Sequence, residues 1–332
     1  MRNILCVTLI ALLGGCTSTS VTEKYQDKRN DIINVKDKVI EFETGNVLIG
    51  SVSRLYMSNK CLLIADHKSV DKQIHIFNKN DFSYLTSIGN FGEGPEEITV
   101  MGCLAIDEAH HQLYVSDHAK QKIFSYDMDS VMVDSLYKPQ VKTAMNETLF
   151  PSEYQYINDT LSIAVLIKPT STSTFNQFLG RWNMNTGEMI PMKYTHPDIQ
   201  KKRITFAASE KAGIYVECYT RHDLMTICSL DRELLYNIYG PDWDGGNGNK
   251  LQSFGTVMIG NDKIFVSYCG EDYARDSFPT KILVFDLEGN YLKTLETGYK
   301  ISDCCYDSFN NRIILSLNDV VQFAYLDIDG II

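Results

Sequence analysis

The chain is short of positive charge. Its 332 residues carry 31 Lys and Arg against 42 Asp and Glu, a formal net charge of −11. No basic stripe runs along it, which argues against nucleic acid as a partner. The same acidity opposes electrostatic docking on anionic lipid and serves solubility. Catalytic signatures are missing too. There is no nucleophile elbow, no phosphate loop and no H-E-x-x-H helix. None of the nine cysteines forms a C-x-x-C pair, so a zinc site has no support. The apolar run Ile4 to Leu13 is too short to span a bilayer well.

What is present is a repeat. An apolar strand recurs as LLIAD from Leu62, LYVSD from Leu113, LSIAV from Leu161, IYVEC from Ile214, IFVSY from Ile264 and IILSL from Ile313. The starts are 51, 48, 53, 50 and 49 residues apart. A near-constant period of this size signals a repeat architecture and outranks any single-segment reading. Each copy is followed by a second strand ending in Asn or Asp, at Asn78, Asp127, Asn183, Asp231, Asp286 and Asp327. A third strand follows most copies, and an apolar strand precedes each. Taking the recurrent strand as the inner one, this predicts an all-β fold: a six-bladed β-propeller of four-stranded antiparallel blades. A blade cannot bury both faces alone, so the ring must close. The last unit ends at Ile332 without an outermost strand, and Val39-Ile40-Glu41-Phe42 precedes the first unit with no other home. That segment is expected to supply the missing strand.

Residues 1–15 read as a signal peptide, with Arg2 before the apolar run. Residues 16–31 are polar and read as a tether, and 32–332 as the propeller, expected to be a monomer. Losing the signal removes one cation, so the mature charge is 30 minus 42, or −12. Seven cysteines then remain besides Cys16, an odd number, and most lie in strand patterns. They are expected to be free and buried, as small hydrophobes. Adjacent Cys304 and Cys305 point to opposite faces of a strand and should not pair.

The sequence Leu13-Gly14-Gly15-Cys16 resembles the lipobox of bacterial lipoproteins. The glycine-rich Ile88–Glu97 and unit two, LAIDEAHHQLYVSDHAKQKIFSYDMD, are similar to the NHL repeat. The whole chain thereby resembles the TolB-like, NHL-like six-bladed propeller lipoproteins of the Gram-negative envelope. The match is close over units one and two. Units three and six have Val165 and Leu317 where the strand Asp should be. The resemblance implies cleavage before Cys16, lipid on that residue, and an outer-membrane location in the cell envelope. Some related propellers are lactonases or lyases with a divalent metal in the channel.

In a four-stranded meander, the turn after the second strand and the crossover to the next blade open on one face. That face is the expected binding face, because loops on a rigid scaffold carry function. It should hold the matched pairs Asp66-His67 and Asp117-His118, weak candidates for a metal or acid–base site. Their alternative role is turn capping by the two acids, as in Asx turns. The stretch Pro241–Asn249 is similar to a calcium loop but has Gly246 and Ser253 where ligands should be. Trp243 on it could stack on a sugar or tuck into the blade edge. The long polar stretch Cys269–Pro279 adds Tyr273. Trp243, Tyr219, Arg221, His222 and Tyr273 form the expected ligand-contacting set, mixing stacking groups with hydrogen-bond donors. His110-His111 falls on the opposite face. The functional expectation is a lipid-anchored binding or scaffold module for a glycan, peptide or envelope protein, with no cofactor. The alternative is a metal-dependent lactonase- or lyase-like enzyme, which needs about three convergent ligands from different blades.

Overall fold

The computed structural model describes residues 22–332 apart from 135, 172, 200–201, 248–249 and 276. Residues 1–15, read above as a signal peptide, and Cys16 therefore lie outside the described residues. Six sheets of consecutive antiparallel strands are arranged as the blades of a propeller. Blade 1 runs Ser53–Met57, Cys61–Asp66, Lys72–Asn78 and Tyr84–Asn90 from the axis outward. Blades 2 to 6 begin with innermost strands at Met101, Phe150, Ile204, Leu251 and Ile301.

The recurrent strands of the sequence are the second strands, not those that line the axis. In blades 1, 4 and 6 all six residues of this strand are buried. A strand covered on both faces reads as a continuous apolar run. The innermost strand has one edge on the axial channel and mixes in polar residues, which weakens its pattern. Six apolar clusters hold the ring, one for each pair of neighbouring blades. All seven described cysteines are free and buried, most of them in these clusters.

Closure follows the expected route. Val39–Glu41 pairs antiparallel with Phe323–Asp327 as the outermost strand of blade 6, with Tyr325 opposite Ile40. Phe42 then stacks on Phe82 of blade 1, ring centres 3.9 Å apart, and on Phe323 of blade 6 at 5.9 Å. The preceding chain is tied down further than expected. Part of the stretch read as a tether, Glu23–Tyr25, adds a fifth strand parallel to the edge of blade 4, and Ile32–Asn34 does the same on blade 5. Three-residue strands are too short for periodicity to register. Between them, Arg29 inserts its guanidinium against the buried Asp223, 2.9 Å away. The N-terminal segment is thus a strap across blades 4, 5 and 6.

Candidate functional site

The innermost strands enclose an axial channel of about 1480 Å³. Arg54 of blade 1 and Glu153 of blade 3 meet within it, Nη2 to Oε1 at 2.8 Å, with side chains 46% and 40% exposed. Only one guanidinium nitrogen and one carboxylate oxygen are joined, so both groups keep hydrogen-bonding capacity toward the channel. Tyr56, Tyr156 and Phe206 line the same space. Asp303 of blade 6 also faces it, accepting from the Leu55 amide at 2.8 Å and the Thr256 hydroxyl at 2.7 Å. Desolvation lifts the Asp303 carboxyl above its ordinary range, against the pull of those hydrogen bonds and of Arg54.

At the mouth stand the two matched histidines. His67 and His118 both line the channel. The ring of His67 lies against the Met101 backbone of blade 2, and that of His118 against Ser152 of blade 3. Nε2 has no partner in either ring. Burial pushes both imidazoles below their ordinary pKa, so they are neutral near pH 7. Gly102 makes the approach of His118 feasible, because a Cβ there would overlap its Nε2. Gln73, 2% exposed, also borders the channel, with its Oε1 unpartnered. The acids beside the histidines are engaged elsewhere. Asp66 accepts from the amides of Gly50 and Lys68, at 2.7 and 2.9 Å. Asp117 accepts from four, those of Thr99, Val100, Ala119 and Lys120. Both are turn caps, the alternative role expected of them.

The five residues expected to contact a ligand do not form one surface. Tyr219 is the last residue of the second strand of blade 4 and is 1% exposed, so it belongs to the core rather than to a contact surface. His222 is buried, its Nδ1 3.8 Å from Asp244. Trp243 tucks half-buried among the rings of Tyr239, His196 and His222, with centres 5.0, 5.5 and 6.0 Å away. Arg221 and Tyr273 do meet, the guanidinium carbon 3.0 Å from the ring centre, with Tyr273 exposed. None of the five is among the described residues lining the channel. Sequence reasoning missed Arg54, Glu153 and Asp303. Their signal was a charge within a strand of mixed apolar and polar residues, in SRLYM, PSEYQYIN and ISDCCYD, which is a weak one. Among the described residues, the one group of three side chains close enough to share a metal ion is Asp107, His110 and Asp159, at the opposite end of the blades.

Residues 17–178 match the model of the DUF5128 family, described as a 6-bladed beta-propeller. No curated protein matches the sequence. Among solved structures, a Bacteroides fragilis protein described as exported is similar over 89% of this chain and 87% of its own, with TM-score 0.57 and 13% identity. A Bacteroides vulgatus member of the DUF4221 family covers 90% and 98%, with TM-score 0.56 and 11% identity. A luciferin-regenerating enzyme covers 86% and 93%, with TM-score 0.56 and 8% identity. At such identities the likeness is one of fold.

Proposed function

We propose that this chain is a binding module of the cell envelope, held to the membrane by lipid on Cys16, and that its axial channel takes the end of a glycan. The observation that carries this reading is the Arg54–Glu153 pair, half-exposed inside the channel. A neutral pair with free N–H donors and a free carboxylate oxygen suits hydroxyl groups, which donate and accept at once. The rings of Tyr56 and Tyr156 supply apolar faces for a sugar. The net charge of −11 disfavours a polyanion. The enzymatic reading is weaker, because Glu153, Asp303, His67 and His118 do not converge in any group of three able to share an ion among the described residues. A glycan array on the purified protein should give a hit. Arg54→Ala should then weaken binding of that glycan by tenfold or more, the loss expected when a charged donor is removed, and leave the fold intact. Unchanged affinity in that variant would reject the channel as the site. The anchor is tested separately: Cys16→Ser should move the protein from membranes to a soluble fraction, and continued retention would count against lipidation.

A further inference from the structure

Opposite the channel mouth considered above, blades 2 and 3 bring together a set of metal-competent donors. Asp107 ends the innermost strand of blade 2 and is 1% exposed. Its Oδ1 accepts the His110 amide at 3.2 Å and caps the turn. Its Oδ2 accepts from His110 Nδ1 at 2.8 Å and from the Tyr114 hydroxyl at 3.2 Å. Asp159, in the first turn of blade 3, is exposed and accepts from the Tyr156 hydroxyl at 2.7 Å. One ligand atom from each of Asp107, His110 and Asp159 lies within 4.8 Å of the other two.

The repeat supplies an internal comparison that bears on what balances this charge. Asp307 holds the equivalent position in blade 6, and its Oδ1 likewise caps the turn, accepting from the Phe309 and Asn310 amides. There the carboxylate is neutralised by protein cations, Arg312 Nε at 3.2 Å and Lys79 Nζ at 3.4 Å. In blade 2 the residue five places on is Gln112 instead of an arginine, and the residue three places on is His110 instead of Asn310. The neighbouring blade contributes Asp159, a second anion, instead of a lysine. Among the described ion pairs, Asp107 has only His110, and Asp159 has none. Lys142 is the nearby cation, but its ammonium sits over the Tyr114 ring, 5.5 Å from the centre. A turn that is electrically closed in blade 6 is thus open in blade 2, and the residue changes convert it from a cation-paired acid to a mixed oxygen and nitrogen donor set.

We infer that Asp107, His110 and Asp159 form a divalent first-row metal site bridging blades 2 and 3. Two carboxylates and a neutral imidazole balance a divalent ion, and this donor mix suits zinc or manganese better than calcium. Binding would displace the His110 Nδ1 proton: from the imidazolium it leaves to solvent, and from the neutral ring it is matched by protonation of Nε2, so that in either case a neutral imidazole gives its Nδ1 lone pair to the metal. Tyr114 and Tyr156 orient the two carboxylates from behind, as outer partners of metal ligands do. The His110 side chain is 59% exposed, which leaves the ion a path from solvent.

The test is titration of the metal-free full chain with zinc near neutral pH, followed by calorimetry and melting temperature. One ion per chain is expected, with a higher melting temperature when loaded. Asp159→Asn and His110→Ala should each weaken binding by tenfold or more. His111→Ala removes the adjacent histidine, which pairs instead with Asp129, and should bind as the parent does. Circular dichroism checks that each variant is folded, and Asp159→Asn changes only an exposed turn. Absence of zinc binding by the parent at millimolar metal would overturn the inference. So would equal affinity in the parent, Asp159→Asn and His110→Ala, which would mean that the zinc sits elsewhere.

Discussion

Arg29→Ala isolates the clamp between strap and ring. The guanidinium and the Asp223 carboxylate are 2.9 Å apart, with side chains 8% and 0% exposed. Gly240 leaves room for that carboxylate, since a Cβ there would overlap it. Removing one partner of a buried pair costs about 3–5 kcal/mol, because the other charge is left uncompensated. Asp223 would retain the Asp242 amide at 3.2 Å and the Tyr268 hydroxyl at 3.3 Å. The lower end, about 3 kcal/mol, is therefore expected, or roughly 6–12 °C of melting temperature at about 2–4 °C per kcal/mol. The pH dependence is specific. Burial raises the Asp223 carboxyl above its ordinary value, and Arg29 opposes that rise. A carboxyl raised in the folded state binds protons more readily folded than unfolded, so its ionisation costs stability as pH climbs through the folded pKa. Loss of Arg29 raises that pKa further. The penalty of Arg29→Ala should accordingly be largest at neutral pH and shrink as pH falls toward the ordinary carboxyl range. Asp223→Asn added to Arg29→Ala should recover part of the loss. Urea unfolding of parent, single and double variants across that range is the assay. A penalty below about 1 kcal/mol at neutral pH, the size of an exposed pair, or one that does not change with pH, would refute the reasoning.

Two further outcomes follow from packing and burial. Phe42→Ala removes a buried ring that joins the closing strand to blade 1 and should cost about 3–5 kcal/mol; removing the chain through Phe42 should lower the melting temperature more, and an unchanged value would reject this strand as the lock. Burial holds His67, His75, His118, His196 and His222 below their ordinary pKa, while Asp107 raises His110. For the five, the unfolded chain takes up protons first, so their contribution is complete above the unfolded value near 6.5 and is lost as pH falls through the folded values. His110 and the raised carboxyls of Asp223 and Asp303 act in the opposite sense but are fewer, so the urea midpoint should be lower at pH 5.5 than at pH 7.5, and a midpoint that does not fall would contradict the prediction.

The blades were legible because the second strand of each is sandwiched on both sides and is apolar over most of its length. The strap was not. Glu23–Tyr25 and Ile32–Asn34 are held by edge pairing and by single side chains such as Arg29, and neither effect leaves a periodic trace. Tyr219 was expected at the surface because it adjoins a polar turn, but its place at the end of a strand aims it into the core. His222 and Trp243 were expected to present their rings to a ligand, yet rings from two crossovers and a turn pack on one another there, burying His222. Arg54 and Glu153 are 99 residues apart, and only ring closure makes them neighbours.

The departures from the repeat carry more information than the repeat does. Blades 1 and 2 keep an acid at the end of the second strand, opposite Ser53 and Met101 of the innermost strand. Both acids are consumed by capping amides, as is proper to a residue required by the turn. Blades 3 and 6 have Val165 and Leu317 at that place. In blade 3 an acid appears instead directly across the ladder, since Glu153 pairs with Val165, next to an irregularity in register at Pro151. In blade 6, Asp303 stands beside a similar irregularity, opposite Ser316 and one step from Leu317. Blades 4 and 5 have Cys218 and Tyr268 at the place of the second-strand acid and no acid on the innermost strand. Among the described residues, in blades 3 and 6 alone a carboxylate of the innermost strand faces the channel, and none stands at the end of the second strand, where it would close a turn. Substituting the acid of an intact repeat should therefore loosen a turn, whereas substituting Glu153 should leave the blade standing and change only what the channel accepts.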